Sequence, residues 1–311
     1  MSDLQRYIVE EWAEEYREGR LHRREFLRRT ILLAGGAALA IPVLQSLGVS
    51  VSPVEVADAA SAPPPATAQA PGITVPPDDP AIASTGMVSF ASGAVAVQAY
   101  LAKPRASGAV PGVIVIHENR GLLEHFKDLC RRFAKIGYAA LAVDLASAEG
   151  GTAKFTDSAQ VTAILGRTSP EQLVAMLNAG VRHLQSQPGV RRDRIGAMGF
   201  CFGGGMTWRL ATQNAELKAA APFYGSNPPL EDVPKIKAAV LTVYGALDQR
   251  INAGIPAVRE AMRKAGVVHE IVIYPNAAHA FFNDTGANYN ATAAREAWAK
   301  TVAWFDRYLK Q

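Results

Sequence analysis

Arg194-Ile195-Gly196-Ala197-Met198-Gly199-Phe200-Cys201-Phe202-Gly203-Gly204-Gly205 is the stretch on which the fold turns. An apolar run meets a cluster of glycines at 199–205, which predicts a strand over 194–200 passing straight into a helix over 203–211. Gly199-Phe200-Cys201-Phe202-Gly203 has the spacing of a nucleophile elbow, with Cys in the place of the usual Ser. Such a turn holds the nucleophile in a strained backbone conformation, and flanking glycines remove the Cβ atoms that would strike the neighbouring strand and helix. The helix start behind Cys201 favours thiolate over thiol and offers the backbone N–H of Phe202 to an oxyanion. Glycine-rich strand-to-helix turns also occur for packing alone, so the motif needs partners.

Working outward, apolar runs alternate with segments of helical period. Strands are expected at 113–117, 139–144, 219–224, 239–244 and 270–274, and helices at 122–136, 170–185, 255–264 and 291–309. Near-continuous apolar strands spaced by helices indicate a mostly parallel sheet covered by helices on both faces. An opening β-hairpin is expected from 87–90 and 94–102, joined at Ser92-Gly93. In such a sheet the ligand site lies beyond the carboxyl ends of the strands.

Two residues follow strand ends in the required way. Asp248 ends Tyr244-Gly245-Ala246-Leu247-Asp248, and His279 ends Pro275-Asn276-Ala277-Ala278-His279. Nucleophile, acid, histidine is the chain order of α/β-hydrolases. His279 would move the proton of Cys201, and Asp248 would orient the imidazole. Taken singly, Asp248 also reads as a turn or helix-cap residue and His279 as a surface loop residue. Three such residues in this order after three strands point to a Cys-His-Asp triad.

His117-Glu118-Asn119-Arg120-Gly121, directly after the first parallel strand, completes a pattern that resembles the dienelactone hydrolase family of the α/β-hydrolase fold. The likeness spans about residues 84–309. It implies a hydrolase that cleaves an ester or lactone, of carboxymethylenebutenolidase type, through a thioester and without a cofactor. It implies that Glu118 contacts the resting cysteine and accepts its proton when substrate displaces it. It also implies that the amides of Asn119 and Phe202 form the oxyanion hole. Read from charge alone, Glu118 at a strand end is either such a group or the partner of a nearby arginine such as Arg120. The family holds a substrate carboxylate with arginines, one placed four residues after the histidine; that position is Asn283 here. Dienelactone itself is therefore a doubtful substrate, unless Arg120 or Arg167 compensates. An exported binding protein on the same scaffold and a thiol redox sensor are the rival readings. Neither needs an acid–base pair beside the cysteine.

The N-terminus reads as an address. His22-Arg23-Arg24-Glu25-Phe26-Leu27-Arg28 resembles a twin-arginine export signal, followed by an uncharged Ala-, Gly- and Leu-rich run over 30–49. Small residues around Ala57-Asp58-Ala59 or Ala68-Gln69-Ala70 suit cleavage. A cleavable signal over 1–59, a retained membrane anchor and a buried core helix are the three alternatives, in that order. Pro63-Pro64-Pro65, Pro71, Pro76-Pro77 and Pro80 mark 60–83 as an extended linker, which leaves 84–311 as the catalytic domain. The expected partners are the twin-arginine export machinery and a small-molecule ester or lactone, and the expected place is periplasmic or secreted.

Composition narrows the rest. Of 311 residues, 49% are hydrophobic and 19% charged, the balance of a folded globular chain. The formal charge is +4, with basic residues scattered rather than striped, which argues against nucleic acid. Two cysteines make no disulfide framework, and Cys130 falls in an amphipathic helical stretch. Six histidines include no pair at helical zinc spacing and no CxxC occurs, so no metal site is expected.

Overall fold

The computed structural model describes residues 1–62 and 74–311. Residues 63–73 of the Pro-rich stretch expected as a linker lie outside them. One eight-stranded sheet runs through the main body in the order β1-β2-β4-β3-β5-β6-β7-β8. Its strands are β1 (Ile82–Ser92), β2 (Val95–Pro104), β3 (Val110–Ile116), β4 (Ala139–Val143), β5 (Val190–Phe200), β6 (Ala219–Phe223), β7 (Ala239–Gly245) and β8 (His269–Tyr274). β2 pairs antiparallel with both β1 and β4, and every other pair is parallel. An antiparallel hairpin leading into a parallel sheet with this strand order is the α/β-hydrolase fold, as expected.

The central strands are buried because both faces are covered. β4 and β7 are buried at every residue, which is why their sequences carry no polar alternation. The covering helices of the main body are α5 (Glu124–Lys135), α6 (Ser158–Arg167), α7 (Pro170–Gln185), α8 (Phe202–Gln213), α9 (Gln249–Asn252), α10 (Ile255–Ala265) and α11 (Ala291–Leu309). α7 starts with a full capping box, in which Ser169 and Gln172 satisfy each other's amides and Pro170 opens the first turn. α5 buries Phe126, Leu129, Cys130 and Phe133 on one face, so Cys130 is a core residue. Burial pushes the Cys130 thiol far up, and it is inert as a nucleophile. No element was expected over 145–169; the structure supplies α6, capped by Asp157 through the Ala159 amide.

Residues 1–62 form four helices, α1 (Asp3–Arg17), α2 (Arg23–Ala34), α3 (Ala37–Ser46) and α4 (Pro53–Ala60). Their apolar side chains gather in a small core of their own around Ile8, Trp12, Phe26, Leu27, Ile31 and Leu44. Gly35 and Gly36, both at positive φ, break the apolar run, and α2 and α3 meet there at 117°. Among the described residues no single helix is long and apolar enough to cross a membrane, though this bent pair passes on length and composition. The chain is anchored to the main body from Thr74, ahead of the expected boundary at Ser84. Asp128 accepts from the amides of Thr74 (3.2 Å) and Val75 (2.8 Å).

Candidate active site

The three residues expected as a triad come from three different strand ends and meet. Cys201 sits between β5 and α8 with φ 55° and ψ −119°, a backbone conformation that costs about 1–3 kcal/mol in a non-glycine residue. The surroundings hold it there. The Cys201 amide donates to the Phe223 carbonyl at 3.0 Å, and its own carbonyl accepts from the Gly205 amide at 3.1 Å. The flanking glycines are required by close approach: a Cβ at Gly199 would run into the Gly203 carbonyl, and one at Gly203 into the carbonyls of Ile116 and His117. Gly203→Ala is therefore expected to cost about 2–3 kcal/mol, because the atoms it meets are backbone and cannot turn aside. A urea denaturation midpoint equal to that of the parent protein would contradict this.

Asp248 caps α9, its Oδ1 accepting from the Ile251 amide at 3.3 Å, while Oδ2 lies 2.6 Å from His279 Nδ1. The cap and the orienting carboxylate are thus the same group, and both readings of Asp248 hold. The loop carrying His279 is pinned by Asn288, whose side-chain amide donates to the His279 carbonyl at 2.8 Å. His279 Nε2 is buried with no hydrogen-bond partner. An imidazole nitrogen of His279, Cys201 Sγ and a carboxylate oxygen of Glu11 lie within 4.8 Å of one another. Among the described residues these three are the buried cluster of metal-ligating types, and they are also the nucleophile, its base and an acid. Tyr224, at φ 35°, sets its ring at a tilt to that of His279, with the ring centres 5.1 Å apart. Phe281 and Phe282 are buried among other aromatics and belong to the core.

Electrostatics divide the site. Burial alone would lower the His279 pKa, but the Asp248 carboxylate bonded to the ring outweighs it and holds the imidazole well above its ordinary value. The Cys201 thiol is pushed up to about 12, first by burial and then by the Glu11 carboxylate, with His279 pulling the other way. In this state Cys201 is a neutral thiol.

The glutamate in contact with the thiol differs from the expected one. Glu118 lies at the β3 end as predicted, but its Oε2 accepts from the Asn283 side chain at 2.9 Å and its Oε1 is buried without a partner. The thiol instead donates to Glu11 Oε2 at 3.2 Å. Asn119, expected to contribute its backbone, also gives its side-chain amide to Glu11 Oε1 at 3.2 Å. Tyr7 adds its hydroxyl, 3.7 Å from the same sulfur. Glu11 and Tyr7 were missed because the segment carrying them read as an export address; no local pattern links either residue to Cys201. The one available signal was a helical period with acids on one face over 3–17.

A cavity of about 500 Å³ opens over this cluster. Glu118, Asn119, Cys201 and His279 form its floor, and residues of the N-terminal helices, among them Glu15 and Arg29, form part of its wall. Arg120 lines it as well, whereas Arg167 ends α6 away from it.

Comparison with known proteins assigns the main body to a family. The profile of the dienelactone hydrolase family matches residues 97–309. A curated protein of Methylorubrum extorquens named "Putative carboxymethylenebutenolidase" is 33% identical over 252 residues, covering 74% of this chain and 87% of that one. Among solved structures, a "Putative Dienelactone Hydrolase" from Klebsiella pneumoniae superposes with a TM-score of 0.67 at 34% identity, over 72% of this chain and 98% of that chain. A dienelactone hydrolase-like promiscuous phosphotriesterase from metagenomic libraries superposes with a TM-score of 0.65 at 28% identity, over 72% and 98%. The four N-terminal helices precede the matched family range.

Proposed function

This chain belongs to the dienelactone hydrolase family and is a carboxylic-ester hydrolase, and from that premise we propose that it works by thioester chemistry at Cys201 on an ester or lactone of the carboxymethylenebutenolidase class. The observation that carries the proposal is a cysteine at a strained strand-to-helix turn, within 4.8 Å of an imidazole that is itself bonded to Asp248.

In the proposed cycle Cys201 Sγ attacks the carbonyl carbon as thiolate, and a C–S bond forms as the carbonyl π pair moves onto oxygen. The amides of Phe202 and Asn119 hold that oxyanion. Their placement at the start of α8 and just past the end of β3 supports this. Collapse breaks the C–O bond, and imidazolium His279 gives its proton to the departing alkoxide; in a lactone the alcohol stays tethered. Neutral His279 then takes a proton from water, whose oxygen attacks the thioester. The acid leaves and Cys201 is restored. Asp248 keeps the imidazole in the tautomer that presents Nε2 to the sulfur. Glu118, beside the cavity and held by Asn283, is proposed as the carboxylate that takes the thiol proton once substrate is seated.

Asn283 in place of a carboxylate-binding arginine argues for a substrate without the acid group of dienelactone, or one met by Arg120. Mixing the protein with an aryl ester and quenching early is expected to show the acyl mass on the peptide containing Cys201. Turnover with the acyl group on no cysteine would sink the thioester route.

Residues 22–49 are proposed to direct export through the twin-arginine route, which delivers folded proteins and suits an enzyme without structural disulfides. The supporting feature is the paired arginine followed by Phe26 and Leu27 and an uncharged apolar run. Arg23→Lys with Arg24→Lys is expected to leave the protein in the cytoplasm in a fractionation assay. Unchanged export of that double variant would refute the route.

A further inference from the structure

Helix α1 places two side chains on the nucleophile. Glu11 Oε2 accepts from Cys201 Sγ at 3.2 Å, and the Tyr7 hydroxyl is 3.7 Å from the same atom. Attack requires a carbonyl carbon within about 3–3.5 Å of the sulfur. Glu11 already takes up part of that shell, so a bound ester and Glu11 in this position compete for the sulfur. The Glu11 carboxylate is bracketed by the thiol on one oxygen and the Asn119 side-chain amide on the other. A carboxylate between nucleophile and hydrogen-bond donor is also the group that ester hydrolysis leaves behind.

The N-terminal unit has a small core of its own. Its apolar side chains pack on one another, and among the described residues Ala163 of α6 is the main body's contribution to that core. What ties it down is both apolar and polar: Leu4 and Tyr7 pack against the main core, and Leu33 and Ile8 lie against Gly166 of α6. Arg28 Nη1 bonds Asp157 Oδ2 at 2.6 Å, Arg250 Nε bonds Glu14 Oε2 at 3.2 Å, and Ser2 Oγ donates to the Gly166 carbonyl at 3.2 Å. The Arg250 guanidinium also lies 4.7 Å from the centre of the Tyr7 ring. The polar ties exchange for water at modest net cost.

We propose that residues 1–62 are an intramolecular inhibitor, in which Glu11 acts as a product-like carboxylate that holds Cys201 protonated and covered until the unit undocks. The inference rests on the hydrolase reading and does not need the export route. Undocking, by whatever agent pulls on or removes the N-terminal segment, uncovers the nucleophile and opens the cavity wall together. The docked state accounts for a thiol held at about 12 by burial and by Glu11, the opposite of what attack requires.

The test uses the full chain with a specific protease site inserted between Ala70 and Pro71, and two variants, Glu11→Ala and Arg28→Ala. Arg28 touches no atom of the site. The readouts at pH 8 are the rate at which iodoacetamide alkylates Cys201 and the rate of p-nitrophenyl acetate hydrolysis. Cutting, Glu11→Ala and Arg28→Ala are each expected to raise alkylation at least tenfold, and ester turnover by a similar factor. Equal rates in the intact, cut and substituted proteins would overturn the inhibitor. So would a fall in turnover with Glu11→Ala, which would make Glu11 a working part of the site. Faster alkylation with no turnover in any form would leave the inhibitor standing and remove the hydrolase reading instead.

Discussion

Cys201→Ala should lower hydrolysis of a simple aryl ester by at least about 10⁴-fold while leaving the denaturation midpoint close to that of the parent. The loss is large because no other group can form the thioester: Cys130, the other cysteine, is a buried residue of α5, and burial holds its thiol far from the ionised form. The fold should survive because Ala is smaller than Cys and the turn is held by neighbouring backbone. The 201 amide still reaches the Phe223 carbonyl, and the flanking glycines still allow the helix to approach β3. Loss of the sulfur removes its hydrogen bonds with Glu11 and Tyr7 and leaves the backbone bonds of the turn in place. The measurement is steady-state turnover in protein cut in the linker, with circular dichroism as the control for folding. A residual rate above about one per cent would place the chemistry elsewhere.

The second large effect belongs to Asp248→Asn, expected to lower turnover on the order of 10²–10⁴-fold, because an amide can hold His279 in the wrong tautomer. The same substitution should leave a signature in stability. Burial opposes the charged imidazole, yet Asp248 holds its pKa well above 6.5. The folded protein then binds that proton more tightly than the unfolded chain. The stabilisation is complete below about pH 6.5 and is lost as pH rises through the folded-state value. For Asp248, burial raises the pKa, but the charge and hydrogen bond of His279 bring it below 3.8. Its share is present above about pH 4 and is lost as pH falls through the folded-state value. The gap in melting temperature between parent and Asp248→Asn should therefore be widest from about pH 4 to pH 6.5 and narrow above it. A gap of constant size from pH 4 to pH 9 would mean that the two groups do not share charge. Asp248 also caps α9, so a small pH-independent loss is expected beneath the pH-dependent one.

Much of this molecule was legible before any coordinates. The hairpin at Ser92-Gly93, the apolar runs of β3, β4 and β7 and the helical periods of α5, α7 and α11 all arise from local spacing. What went unseen had mixed causes. α6 has a polar start and short apolar clusters, and it becomes a helix by packing against α2 and capping with Asp157. The N-terminal segment has the composition of an address and, in this structure, also folds as four helices, because Phe26 and Leu27 find partners in Trp12, Ile31 and Leu44. Composition reports that such side chains avoid water. It does not report what they avoid it with.

By itself the amino-acid order determined the elbow and the succession of nucleophile, acid and histidine. A turn that tight demands Gly199 and Gly203 beside Cys201, and each partner must follow a strand, and both demands are written in neighbouring residues. Only the tertiary structure decided which carboxylate touches the sulfur. Glu118 turned to Asn283, and Glu11, 190 residues before Cys201 in the chain, took its place. Contacts over that separation come from how whole helices dock, through the sum of many side chains such as Arg28 and Arg250, and leave no mark in local spacing.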